Sequence, residues 1–265
     1  MLNLIRTRFH PLWRLRKHPA FRQFQDQHDI TVYTRLPDTR VKVAIKLLRD
    51  ASWLMNSRHL EPEVKEAFLT VFKNMQPKVF WDVGGNIGFY LWFTKTHCGD
   101  AEIVIFEADK TNCELINATI KRNKLRNIKT INVAVADSNG IIDFLVDGAS
   151  GATGAISSVA SRDNSSSLHH AYGLNRVISV NSITLDSLLE QGSAAPDLIK
   201  IDVEGAEHLV LRGGEKLLRS HSPVLIMETQ QDDLIKWLTG LNYQVTQIDA
   251  GNVLCIPDNK AKLFL

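Results

Sequence analysis

The run Val79-Phe80-Trp81-Asp82-Val83-Gly84-Gly85-Asn86-Ile87-Gly88 is an apolar stretch of strand length that enters a glycine-rich turn. Glycines at a strand end let the backbone approach a ligand closely. Glu107 lies 23 residues beyond Gly84, after the apolar run Ile103 to Phe106. At that offset a carboxylate accepts hydrogen bonds from ribose hydroxyls. A second group of acids follows in Lys200-Ile201-Asp202-Val203-Glu204-Gly205-Ala206-Glu207, and Glu228 ends the apolar run Val224 to Met227. If Leu198 to Ile201 and Val224 to Met227 are parallel strands, Asp202 and Glu228 emerge together at the carboxyl edge, where ligands of such sheets bind.

Charge selects the ligand. A pyrophosphate needs bare backbone N–H groups at a helix N-terminus, and the Asp82 carboxylate would repel it. Asn86 stands where a Gly-x-Gly-x-x-Gly loop has its second glycine, and none of Tyr33, Tyr90, Tyr172 and Tyr243 has a lysine four positions on. Both departures argue against a dinucleotide dehydrogenase. S-Adenosylmethionine presents an ammonium and a sulfonium, for which an acid near the loop is favourable.

Methyl transfer to a hydroxyl needs an oxygen held in line and a group to take its proton. Asp202 is the first choice for that centre, with Glu204 close enough in sequence to share it and Glu228 on the neighbouring strand. Other roles stay open. Glu204 or Glu207 would serve equally as a cap for the following helix. Asp202 and Glu228 would also suit a divalent ion, a variant not favoured over a metal-free site. His169, His170 and His208 each read as exposed residues rather than bases, with His169 and His170, next to the Gly/Ser-rich segment, the pair that could still serve as one.

Taken together, these motifs closely resemble the FkbM-type methyltransferase family over roughly residues 60–229. Asp82 to Gly88 resembles the family's cofactor loop, Phe106-Glu107 its ribose acid, and Ala134-Val135-Ala136-Asp137 its adenine-side turn, while Thr184-Leu185-Asp186 and the Lys200 to Glu207 block complete the pattern. The resemblance implies a class I Rossmann-like methyltransferase fold with S-adenosylmethionine as methyl donor. Its implied binding set is Asp82, Gly84, Gly85, Asn86, Gly88, Glu107, Ala108, Val135, Ala136 and Asp202. The implied reaction is O-methylation of a hydroxyl on a sugar, glycolipid or polyketide-type natural product. Gly85 departs from the alanine common in the family's loop; the change removes only a methyl. Two further readings stand beside this one: a methyltransferase acting on a protein or nucleic acid, and a scaffold that binds S-adenosylmethionine without catalysis.

To position these residues the chain must build an α/β fold. Strand-like runs at 79–83, 103–106, 130–135, 197–201 and 224–227 alternate with helical patterns from about 87, through Leu115 to Leu125, and over 206–218. Such alternation predicts parallel βαβ units in a doubly wound sheet, closed by an antiparallel hairpin at 243–248 and 252–256. Residues 60–265 form this domain and 1–59 an extension. In the extension, 30–36 reads as a strand and 41–55 is ambiguous; just beyond it, Pro62 marks the first turn of a helix whose Val64, Phe68, Val71 and Phe72 share one face. Residues 147–168, rich in Gly, Ala and Ser, lie between apparent strands at 141–146 and 177–180 and read as a substrate lid or a plain loop.

With 265 residues, 44% of them hydrophobic and 23% charged, the chain matches an ordinary globular protein. Disordered, collagen-like and coiled-coil classes are excluded. Its net charge of +2 offers no global case for a nucleic-acid partner; the expected partner is a small-molecule or glycosidic hydroxyl acceptor. Cys98, Cys113 and Cys255 are odd in number and widely spaced, consistent with a reducing compartment, and no apolar run reaches the roughly 18 residues of a membrane span. A cytoplasmic location is expected. The basic, aromatic-rich arm at the N-terminus is expected to pack as a short helical extension, with contact to a membrane surface as the alternative.

Overall fold

The structure, a computed structural model, describes residues 18–51, 53, 61–147, 154–156 and 175–264. An N-terminal helix α1 (Pro19–His28) leads into an antiparallel hairpin, β1 (Thr31–Arg35) and β2 (Lys42–Lys46). Helix α2 (Pro62–Met75) begins at its proline, as the sequence predicts, and buries Val64, Phe68, Val71 and Phe72 on one face. There follow β3 (Val79–Val83), α3 (Phe89–His97), β4 (Glu102–Phe106), α4 (Lys110–Asn123) and β5 (Ile128–Ile131). After a smaller sheet come α5 (Leu185–Glu190), β10 (Leu198–Ile201), α6 (Glu207–Arg212), α7 (Glu215–His221), β11 (Val224–Glu228), α8 (Asp232–Gly240), β12 (Tyr243–Gln247) and β13 (Asn252–Pro257). A 3₁₀ turn over Asp258–Phe264 ends the described chain.

The main sheet has the order β12-β13-β11-β10-β3-β4-β5. Strands β11, β10, β3, β4 and β5 pair in parallel, whereas β13 is inserted antiparallel between β11 and β12. This is a class I Rossmann-like methyltransferase sheet, and the expected C-terminal hairpin supplies its inserted strand. One face is covered by α2, α3, α4 and β2 around Phe68, Phe80, Trp92 and Ile105. The other is covered by α5, α6, α7 and α8 around Trp81, Leu185, Leu217 and Leu225. Central strands such as β10 are buried on both faces, which is why they read as unbroken apolar runs.

The expected single strand at 130–135 is two. β5 ends at Ile131, and β6 (Ala134–Val135) belongs to a second sheet of order β6-β9-β7-β8. In that sheet β7 (Gly140–Asp147) pairs antiparallel with both β8 (Gly154–Ile156) and β9 (Asn175–Ile183). Its strands β7 and β9 are the runs expected at 141–146 and 177–180, longer than the sequence signals. The expected helix over 206–218 breaks at Gly213 and Gly214 into α6 and α7. No helix among the described residues is long and apolar enough to cross a membrane. The arm at 1–17 lies outside the described residues, as does most of the 147–168 segment.

Candidate active site

The turn after β3 is held to the neighbouring strand by its own backbone: Gly84 N and Gly85 N both donate to Phe106 O, at 3.0 and 3.2 Å. Gly84 has φ +76°, and a Cβ there would fall 1.9 Å from the Asp202 carbonyl oxygen. Only glycine lets the β3 and β10 ends meet this closely. A Cβ at Gly85 would meet the Ile105 Cδ1 at 2.3 Å. The family's usual alanine therefore needs Ile105 to turn, and glycine here relieves that contact.

Two clefts open at this carboxyl edge. The first, about 740 Å³, is bounded by Gly84, Glu107, Ala108 and Val135, and roofed by Phe144, Val146 and Ile156 from the second sheet. Glu107 accepts from Asn86 N and Asp109 N, both at 2.7 Å. Burial raises its carboxyl to about 7, against the pull of those N–H groups. The second cleft, about 670 Å³, brings together Asp82, Glu61, Lys200 and Glu228 with the aromatic rings of Trp53, Phe89 and Tyr90. Gly84, Asn86, Asp202 and Glu204 border both clefts, so the two form one continuous site.

Lys200 organises the second cleft. It is 4% exposed, its Nζ donates to Asp202 Oδ2 at 2.7 Å, and it lies 4.9 Å from the centre of the Tyr90 ring. The Tyr90 hydroxyl donates in turn to Glu61 Oε2. Burial alone would lower the Lys200 pKa, but Asp202 and Asp82 outweigh it and keep the ammonium charged. Burial would likewise raise Asp202; the Lys200 ammonium and hydrogen bonds from Lys200 and Glu228 hold it below the usual carboxylate range. Glu228 moves the other way, raised by desolvation and by the adjoining Asp202 carboxylate. The two carboxyls are thus pushed in opposite directions, Asp202 toward the ionised form and Glu228 toward the protonated one.

Asp82 accepts from the backbone of Leu91 in the first turn of α3, and burial raises it to about 7 while Lys200 opposes the rise. Its Oδ2 is buried without a partner among the described residues, and it borders the second cleft. The cap expected of Glu204 or Glu207 does not form, because the N-cap of α6 is Ala206; Glu207, its first residue, instead folds back on the preceding turn, where its Oε1 accepts from Gly205 N at 3.1 Å and Val203 N at 3.4 Å. Glu204 is held at φ +52° on the rim of both clefts. Gly88, the N-cap of α3, and Ala136, packed beneath the second sheet, border neither cleft. His208 lies with Arg212 and Trp237 in a separate depression, and His169 and His170 fall outside the described residues.

Sequence reasoning passed over Lys200, Tyr90, Glu61, Trp53 and the roof residues Phe144, Val146 and Ile156. Lys200 did carry a signal, a cation inside an otherwise apolar strand. The roof carried none, because it depends on how β7 and β8 pair. Among the described residues, no three His, Cys, Asp or Glu side chains are grouped so as to hold a metal ion.

The sequence matches the Methyltransferase FkbM domain over residues 82–245, from the acid of the cofactor loop into β12. The chain belongs to the FkbM methyltransferase family. No curated protein matches it. Similar solved structures include the FkbM methyltransferase of Methylobacillus flagellatus KT, at TM-score 0.47 and 16% identity over 68% of this chain and 43% of that one. The chain thus spans less than half the length of that relative. Another is the precorrin-6y C5,15-methyltransferase of Geobacter metallireducens GS-15, at TM-score 0.46 and 12% identity over 84% of this chain and all of the other. A third is the tRNA (uracil-54, C5)-methyltransferase of Pyrococcus abyssi with S-adenosyl-L-homocysteine, at TM-score 0.43 and 10% identity over 85% and 43% of the two chains.

The donor set fits S-adenosylmethionine. Glu107 offers the first cleft a carboxylate for ribose hydroxyls, and the apolar roof suits a flat base. The unpartnered Asp82 Oδ2 offers the second cleft an acceptor for an ammonium.

Proposed function

We propose that this methyltransferase acts on a hydroxyl of a small or glycosidic acceptor seated in the second cleft. The observation that carries the proposal is the Asp202 carboxylate, held by Lys200 Nζ at 2.7 Å at the junction of the two clefts, with Glu228 bordering the second cleft beside it. In this reading Glu107 and the apolar roof hold the nucleoside end of the donor, and Asp82 holds its ammonium. When bound, S-adenosylmethionine supplies an electrophilic methyl group on a sulfonium. Asp202, kept ionised, accepts the hydrogen bond of the acceptor hydroxyl and takes its proton as the oxygen is methylated. Glu228 is exposed at the rim and passes a proton to water. Trp53 and Phe89, stacked with centroids 6.1 Å apart, offer an apolar wall for the acceptor, and Glu61 and Glu204 offer further acceptors for its hydroxyls.

The test is incubation of the full chain with methyl-labelled S-adenosylmethionine and a panel of glycosides and polyketide-type alcohols. Label in an alkali-stable ether supports the proposal, and Asp202→Asn should then lower turnover far more than donor affinity. Label found only in protein or nucleic acid would overturn it.

A further inference from the structure

Although the chain as a whole carries a net charge of only +2, its cations are gathered. Lys121, Arg122, Lys124, Arg126 and Lys129 place five cations in nine residues with no acid among them. They run from the end of α4 into β5, and all five are exposed. Directly paired residues of an antiparallel hairpin share a face. The register Tyr33↔Ala44 and Arg35↔Lys42 therefore puts Tyr33, Arg35 and Lys42 on one side of β1–β2, and these three are exposed as well. The Arg122 guanidinium lies 5.7 Å from the centre of the Tyr33 ring. The Asn123 side chain accepts from Lys42 N at 3.0 Å and donates to Lys42 O at 2.9 Å. Helix end and hairpin thus make one surface. Among the described residues, none of these seven basic side chains forms an ion pair, whereas Arg49, Lys65 and Lys200 do.

We propose that this surface docks the protein on an anionic membrane. Unpaired cations at this density attract an anionic partner at long range. Composition favours a bilayer over a polynucleotide. Residues 1–17 carry Arg6, Arg8, Arg14, Arg16 and Lys17 without an acid, interleaved with Leu2, Leu4, Ile5, Phe9, Leu12 and Trp13. That segment has the same sign as the surface and cannot neutralise it. It joins α1, which leads directly into β1 and leaves Phe24 51% exposed. Apolar and aromatic groups among cations gain by insertion at a headgroup boundary, whereas a phosphate backbone offers them nothing. Tyr33 is 46% exposed, and a side chain with an apolar body and a polar tip suits the same boundary. No residue of the surface borders either cleft, so the proposal stands independently of the acceptor.

The experiment is co-sedimentation of the full chain with phosphatidylcholine vesicles containing about 30% phosphatidylserine, and with phosphatidylcholine alone. Binding is expected on the anionic vesicles only, falling steeply as salt rises. The triple variant Arg122→Glu, Arg126→Glu, Lys129→Glu should lose about 100-fold or more in partition while titrating S-adenosylmethionine like the parent. The corresponding triple glutamine variant should lose less, in the same direction. Equal partition of variant and parent would overturn this surface and leave the binding to residues 1–17. Failure of the parent to bind anionic vesicles, or binding to an RNA or duplex oligonucleotide that such vesicles do not displace, would overturn the membrane assignment.

Discussion

Two buried carboxyls tie ligand binding to pH. Burial raises both Glu107 and Asp82 to about 7, so each takes up a proton on folding between its ordinary range and 7. The folded state then binds more protons than the unfolded one, and the stability of the ligand-free protein falls as pH rises through that window. Hydroxyl and ammonium donors favour the ionised forms. Affinity for S-adenosylmethionine should therefore rise as pH passes 7, and calorimetry across that range measures it. Glu107→Gln should flatten the rise, while Glu107→Ala should weaken binding by about 1.5–3 kcal/mol. Lys200 makes the opposite case. Lys200→Met would strand Asp202 and should cost about 2–3 kcal/mol of stability, below the range for fully buried pairs because the Asp202 side chain keeps 29% exposure. The double variant with Asp202→Asn should recover part of that loss; if it is less stable than Lys200→Met alone, the charge pair is not what Lys200 stabilises.

At the scale of elements, the site rests on two close approaches of backbone, and both occur at glycine. The second is Gly213, where α6 breaks into α7: a Cβ there would sit 2.1 Å from the Ala136 carbonyl oxygen. Its φ of −69° is ordinary, so the cost of Gly213→Ala is steric, and backbone must move rather than a side-chain tip. Thermal or urea unfolding should show a loss of several kcal/mol, on the scale of overpacking. Gly240, at the end of α8, has nothing within 4 Å of its Cβ position. Gly240→Ala should be neutral or gain about 0.5–1 kcal/mol. The sequence shows these breaks poorly. Leu209 to Leu218 keeps a helical period straight across Gly213 and Gly214, and only the tertiary approach of the turn at Ala136 stops one helix and starts another. The main sheet was readable for the converse reason: strands buried on both faces leave apolar runs bounded by turns. In the second sheet β7 and β9 were readable as strands but their pairing was not, since they meet only through a long connection that no local pattern encodes.

At the scale of the whole molecule, residues 1–59 divide unevenly. The segment 41–55 has no readable period because β2 is buried on both faces: Val43, Ala44 and Ile45 are 0% exposed and join the core of α2, α3 and α4. The hairpin is thus a working part of the methyltransferase domain. Asp29 accepts from Leu48 N and Arg49 N, both at 2.8 Å, which fixes the chain where Arg49 leaves it. Arg49 then reaches Asp109 at 3.4 Å, Asp50 at 2.8 Å and the Asn112 amide oxygen at 2.5 Å. Asp109 and Asn112 both border the first cleft, and Asp109 N is also one of the two donors that hold Glu107. A residue outside the family's matched span therefore braces the wall of the nucleoside cleft. Arg49→Ala should weaken S-adenosylmethionine binding severalfold, and Arg49→Lys should restore little of it, because an ammonium cannot bridge two side chains as a planar guanidinium does. Binding at parental strength by Arg49→Ala would show that the matched domain shapes this cleft without the hairpin.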